Sequence, residues 1–294
     1  MANETKQIAQ FIARLTYDDI PEEVIKRAKI VMLDTLSCAV AGYTKSKEEC
    51  EWAIKIAKEW GGNEEASIWC DGFKASAMAA AFANATMVHT VDFDDTHIDS
   101  ISHFGAGLLA TVLALAEKTK ANGKEMITAF IAGFEAAART GNSVNKGAVH
   151  HHYKYWHPTA TCGTIGCAAA AAKMYKLNEL ETEYALGLGI DQASGLRYCV
   201  DKGDYSKSCL LYTSTAYFIH TGYYNITQAL FIHKAFRKSE IHQRSHDAFF
   251  FRQCDKTVSY ISYGDYPHIV AKTARTASII GDSYDSCYVF GIFF

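Results

Sequence analysis

Apolar residues recur at helical spacing from the start of the chain. Ile8, Phe11, Ile12 and Leu15 fall at i, i+3, i+4 and i+7, one face of a helix. Pro21, with Glu22 and Glu23 behind it, suits the first turn of a second helix, and Gly42 suits its end. The later half of that helix is apolar nearly all round, which predicts a central position. A third helix is expected from about Ser46 to Trp60, stopped by Gly61-Gly62. The short segment A-S-I-W at 66–69 is strand-like and is broken by Asp71-Gly72. An alanine-dominated helix follows over about 75–88, and another over about 105–118. N-G-K-E at 122–125 caps the next, to about Arg139. His157-Pro158 opens one more, and Asn178 to Glu181 forms a capping box for a helix to about Ala193. The pattern predicts a mainly α protein, with an all-helical, bundle-like domain over residues 1–208.

After Lys207 the pattern changes. The first 208 residues hold 19 aromatic residues and the last 86 hold 18, while alanine becomes sparse. No clean 3.6 period remains there, and Pro267 is the sole proline breaker. The segment 209–294 therefore reads as a divergent aromatic-rich tail. It is either a small β-containing domain, since Tyr, Phe, Ile and Thr favour strands, or sequence that did not evolve with the rest. Disagreement among its local signals favours the second.

Composition narrows the classes. With 294 residues, 49% of them hydrophobic, the chain can bury a large core. A net charge of -3 without a basic stripe argues against nucleic acid as a partner. No apolar run reaches the ~18 residues that span a bilayer. The N-terminus M-A-N-E-T-K-Q lacks a basic region followed by an apolar one, so a cytoplasmic protein is expected. Nine cysteines without a C-x-x-C pair read as reduced, mostly buried thiols.

The chemistry concentrates in three stretches. His89 to His103, H-T-V-D-F-D-D-T-H-I-D-S-I-S-H, sets three histidines and four aspartates between two apolar segments. Nitrogen and oxygen ligands for a metal are present, but H-E-x-x-H and the calcium-loop pattern are not. Metal binding, helix capping and metal-free acid/base chemistry all fit this spacing. The second stretch runs from His150 to Lys173. Its three consecutive histidines, His150 to His152, cannot all face one point, whereas His157 stands at a helix N-terminus where anions are favoured. The third, G-L-R-Y-C-V-D-K-G-D-Y-S-K, offers Arg197 as a carboxylate clamp, while Lys202 and Lys207 after a helix end fit ordinary solvated lysines as well as site cations.

Three patterns, V-D-F-D-D-T-H-x(5)-H, then W-H-P-T-A-T-x-G-T-x-G-x-A-A-A-A-A-K, then G-D-x-S-K, stand in this order over residues 1 to about 207. Together they resemble the MmgE/PrpD family of 2-methylcitrate dehydratases and cis-aconitate decarboxylases. The resemblance implies a large helical domain, a smaller α+β covering domain and a homodimer. It also implies a lyase of the hydro-lyase type that needs no metal or other cofactor and acts on a small di- or tricarboxylate. Carried over by position, it assigns Asp92 and Thr96 as the acidic and hydroxyl groups, His103 and His157 as the two histidines, and Lys207 as the lysine on substrate. It leaves His89, Asp94 and Asp99 structural or unassigned. Histidine suits such acid/base work, and Lys207, Thr96 and the helix N-terminus at His157 suit carboxylates and developing enolate charge. Two departures stand out. Phe104 replaces the family's usual proline, and S-C-L-L-Y-T-S follows Lys207 in place of a leucine-histidine-glycine-alanine pattern. The covering domain is not recognisable in 209–294. The alternatives are therefore an incomplete helical domain without activity and, from the His/Asp cluster, a metal-dependent hydrolase.

Overall fold

The computed structural model describes residues 4–144 and 154–197. Eight α-helices build this part: α1 (Glu4–Arg14), α2 (Glu22–Lys45), α3 (Lys47–Trp60), α4 (Ala77–His89), α5 (Gly105–Thr119), α6 (Gly123–Val144), α7 (Pro158–Met174) and α8 (Glu179–Gln192). A two-residue hairpin of β1 (Ala66–Ser67) and β2 (Lys74–Ala75), paired antiparallel, sits between α3 and α4. The mainly α reading holds. The division at residue 208, the aromatic-rich tail and Lys207 lie outside the described residues.

The centre is made of α4, α5, α6 and α7. Twelve of the 13 positions of α4 are buried, and in α7 all but Lys173 are. A helix buried all round must be small-sided to fit among neighbours, which accounts for the alanine runs. Two glycines let α6 and α7 approach backbone to backbone. A Cβ on Gly133 would stand 2.7 Å from the Gly166 carbonyl oxygen, and one on Gly166 would stand 2.8 Å from the Gly133 carbonyl oxygen. On the outside, α2 and α3 pack against α4, while α1 packs against α7 and α8. Lys173 reaches out of α7 to donate to the Ala13 carbonyl oxygen at 2.9 Å, closing the C-terminus of α1.

The capping box at α8 forms as expected, with the Asn178 side chain accepting from the Glu181 N–H at 3.0 Å. The Ser67 edge of the small hairpin is satisfied by side chains. Asn84, fully buried in α4, donates to the Ser67 carbonyl and accepts from the Trp69 N–H, and Glu117 accepts from Ser67.

Two expectations for α2 fail. The helix does not end at Gly42 but runs to Lys45. Gly42 is glycine because a Cβ there would collide with the Met87 carbonyl oxygen of α4, so close packing, not helix termination, selects it. Nor is the later half buried throughout. Cys38 and Ala39 face the core, but Leu33 is 66% and Val40 56% exposed, leaving an apolar outer stripe that begins at Ile30.

Candidate active site

The site is built where the loop after α4 folds back against the N-termini of α5 and α7. Asp92 turns the chain with φ of 50°, a left-handed conformation that Asp tolerates better than most residues. From there the loop returns through a backbone pair between His97 and Ser102 and a 3-10 turn at Ile98–Ser100. Asp95 fixes the far end. Its Oδ1 accepts from the Gly105 N–H at 2.7 Å and its Oδ2 from the Phe104 N–H at 3.4 Å, so it caps α5 from ten residues upstream. A Cβ on Gly105 would collide with that carboxylate. Phe104, the departure from the family's proline, keeps an N–H for this cap and packs edge-on against Phe134, ring centroids 5.6 Å apart.

The cap leaves His103 held on both sides. Its N–H donates to Thr159 Oγ1 in the first turn of α7 at 3.0 Å, and its Nδ1 donates to the Asp95 carbonyl oxygen at 2.8 Å. A carbonyl can only accept, so Nδ1 carries a proton and Nε2 is the nitrogen left to exchange one. Thr96 Oγ1 lies 3.4 Å from the same Nδ1, and the side chain of His103 is 23% exposed. His157, at the N-cap of α7, is buried, and its N–H donates to the Gly195 carbonyl oxygen at 2.9 Å. Arg197 donates from its backbone N–H to Tyr155, which brings the chain after α8 beside His157.

Between the two expected histidines stands a third. The His89 ring centroid is 5.6 Å from that of His103 and 6.4 Å from that of His157. Its Nδ1 pairs with Asp94, 3.0 Å from Oδ2 and 3.2 Å from Oδ1, and both side chains are fully buried. Neither residue has an expected role from sequence. Four of the five expected site residues lie in the described part: Asp92, Thr96, His103 and His157. Of these, Thr96 and His103 meet directly, His157 joins them through the His89 ring, and Asp92 is exposed at the turn. Lys207 and His150 to His152 lie outside the described residues.

His89, Asp92 and Asp94 each bring one possible ligand atom, all within 4.8 Å of one another. His89 Nδ1 and Asp94 are already joined by the buried hydrogen bond. The arrangement is a hydrogen-bonded pair with an acid beside it, and we assign no metal ligands to it.

Burial, reinforced by the charge of Asp94, pushes the Asp95 carboxyl up to about 6, against the opposing pull of the Gly105 N–H and of His103. The fold thus favours neutral Asp95. That contribution to stability is complete below about pH 4, where the unfolded chain is protonated too, and is lost as pH rises through about 6. Asp95→Asn keeps an acceptor for Gly105 and removes the ionisation. Relative to the wild type, its unfolding free energy is expected to rise by about 2–3 kcal/mol between pH 4 and pH 7. Urea denaturation at the two pH values measures it, and parallel profiles for the two proteins would contradict the assignment.

Buried helices meet at a cluster of three histidines, with the expected site residues on loop ends and a helix N-terminus. The comparisons give the family. The model of the MmgE/PrpD N-terminal domain matches residues 6–212, and the chain belongs to that family. It is 30% identical over 200 residues to a cis-aconitate decarboxylase of Aspergillus terreus, covering 65% of this chain and 39% of that protein. Against human cis-aconitate decarboxylase it is 29% identical over 194 residues, covering 64% and 39%. A cis-aconitate decarboxylase-like protein, oryM, of Aspergillus oryzae is 28% identical over 201 residues, covering 66% and 41%. The chain spans about two-fifths of the length of these relatives. Among the described residues no helix is long and apolar enough to cross a membrane.

Proposed function

We propose that the protein is a lyase that acts on a small di- or tricarboxylate, with His103 and His157 moving protons and no metal taking part. The observation that carries this is the state of His103: Nδ1 held by the Asp95 carbonyl, the ring partly exposed, and Nε2 left for a proton. Loss of water from a citrate-like acid needs a base for the proton next to a carboxylate. Loss of carbon dioxide needs an acid that returns a proton to the same carbon. One imidazole near neutral pH serves either direction. In this reading Thr96 and the N-terminus of α7 meet carboxylate or enolate oxygens, with Lys207 as a further cation for them.

The names of the relatives favour decarboxylation, while the motifs are shared with 2-methylcitrate dehydratases. The purified full chain, dialysed against a chelator, is therefore to be offered 2-methylcitrate, citrate and cis-aconitate, with products followed by proton NMR. We expect turnover of at least one of them, unchanged by the chelator. The product distinguishes water loss from carbon dioxide loss. No turnover of any of them would instead support a helical domain without activity, and activity restored only by added metal would support the hydrolase-like alternative.

A further inference from the structure

The outer side of α2 carries a row of residues that the fold does not use. Ile30, Leu33, Ser37, Val40 and Thr44 recur at steps of three and four, the spacing of a seam between two helices, and all are exposed. Ser37 donates to the Leu33 carbonyl oxygen at 2.9 Å and Thr44 to the Val40 carbonyl oxygen at 3.0 Å, so the hydroxyls in the row are turned back onto their own helix. Between Lys29 and Lys45 the one charge is Asp34, which lies off the row. A contiguous apolar patch rimmed by charge marks a docking surface. We propose that α2 packs antiparallel on α2 of a second copy of this chain across a twofold axis. In that pairing Ile30 lies against Val40 of the partner subunit, and Leu33 against Ser37 of the partner subunit. The proposal does not rest on the lyase reading.

The choice of a second copy, and of this direction, comes from the row itself. A twofold contact brings one patch onto itself, so each pairing must work in both senses. In this register it does: large Leu33 lies over small Ser37 and Ile30 meets Val40, each pairing occurring twice. The ends of the row agree. The same register carries Lys26 to Thr44, and Glu23 to Lys47 in the first turn of α3. Lys26 is already paired with Glu22 at 2.7 Å, while Glu23 has no ion pair among the described residues, and Lys47 of the partner subunit supplies one. A parallel pair would set Glu23, Lys26 and Lys47 each against its own copy, like charge on like. Antiparallel packing also opposes the two helix dipoles. The inner side of α2 gives the contact a bearing on the site. Cys38 Sγ donates to the Phe93 carbonyl oxygen at 3.5 Å, in the loop that leads to Thr96 and His103, so the partner braces the helix that holds this loop.

Analytical ultracentrifugation of the full chain from about 1 to about 100 µM reads the association, and a dimer is expected. Leu33→Glu sets a charge into the seam on both copies and should raise the dimer dissociation constant at least about a hundredfold. Leu180→Glu, at another exposed leucine, on α8, should leave it within about threefold. Cross-linking reads the direction. A mixture of Ile30→Cys and Val40→Cys, oxidised with copper phenanthroline, should give a disulfide-linked pair above the wild-type background, because the two Cβ atoms come within about 4 Å. Neither variant alone should, since like positions then lie about 15 Å apart along the helix. Both positions are exposed, so both variants should fold. A full chain that stays monomeric, a dimer indifferent to Leu33→Glu, a mixture that gives no linked pair, or linkage in either variant alone overturns the proposal. So does a monomer that floats with vesicles of anionic phospholipid, which would give the row to a membrane. No turnover is read, so a protein inactive on every acid offered would refute the lyase reading and leave this result standing.

Discussion

His103→Ala is expected to lower turnover by about a thousandfold, the middle of the range for a positioned proton-transfer group. The substitution removes Nε2 and the Nδ1 hydrogen bond to the Asp95 carbonyl, but it leaves the backbone bond from residue 103 to Thr159 Oγ1 in place. The ring is partly exposed and fills no core gap, so thermal stability should move little. Steady-state kinetics at saturating and limiting substrate separate the two outcomes. A fall in kcat with little change in KM fits a proton-transfer role. A variant within threefold of wild type would remove His103 from the chemistry.

The largest effect on stability is expected at Gly166, buried where α7 packs against α6. Gly166→Val would press side-chain carbons into Ala137 Cβ at 2.7 Å and the Gly133 carbonyl oxygen at 2.8 Å. Backbone cannot retreat as a flexible side chain can, so α6 and α7 must separate along their shared face. We expect a loss of about 3 kcal/mol or more, seen as a Tm lower by roughly 6–12 °C. Because α7 is capped by His157 and carries Thr159 in its first turn, the same displacement should loosen His103. A Tm within about two degrees of wild type would show that the two helices have room the structure does not display.

Most helices were legible because each carried its own local signals: a proline or capping box at the start, alanine or apolar spacing within. His103, His157 and Thr96 stand out as candidates in the sequence because their motifs are contiguous. What escaped was whatever depends on the chain folding back. Asp95 caps α5 across ten positions, far outside the three-residue spacing of a capping box, and nothing local marks it. His89 and Asp94 are five apart on a helix end and a loop, and only the turn at Asp92 brings them together. Gly42 looked like a helix stop because a glycine chosen for contact with another helix and one chosen for its φ are the same letter. The exposed side of α2 was likewise hidden, since apolar residues all round a helix do not say which side finds a neighbour.

The anchoring of His103 to Thr159 also sets an order of events. The loop from 90 to 104 is complete in sequence well before its clasp, which lies 56 residues further on. The first helix waits longer still, for Lys173 to cover its end and for Glu179 to meet Gln10 and Arg14. Pairs of adjacent helices such as α4–α5 can form as soon as they are made, whereas these clasps close large loops and come late. During synthesis the loop from 90 to 104 is therefore made early and finished late, and the ribosome must deliver α7 before that loop has a shape.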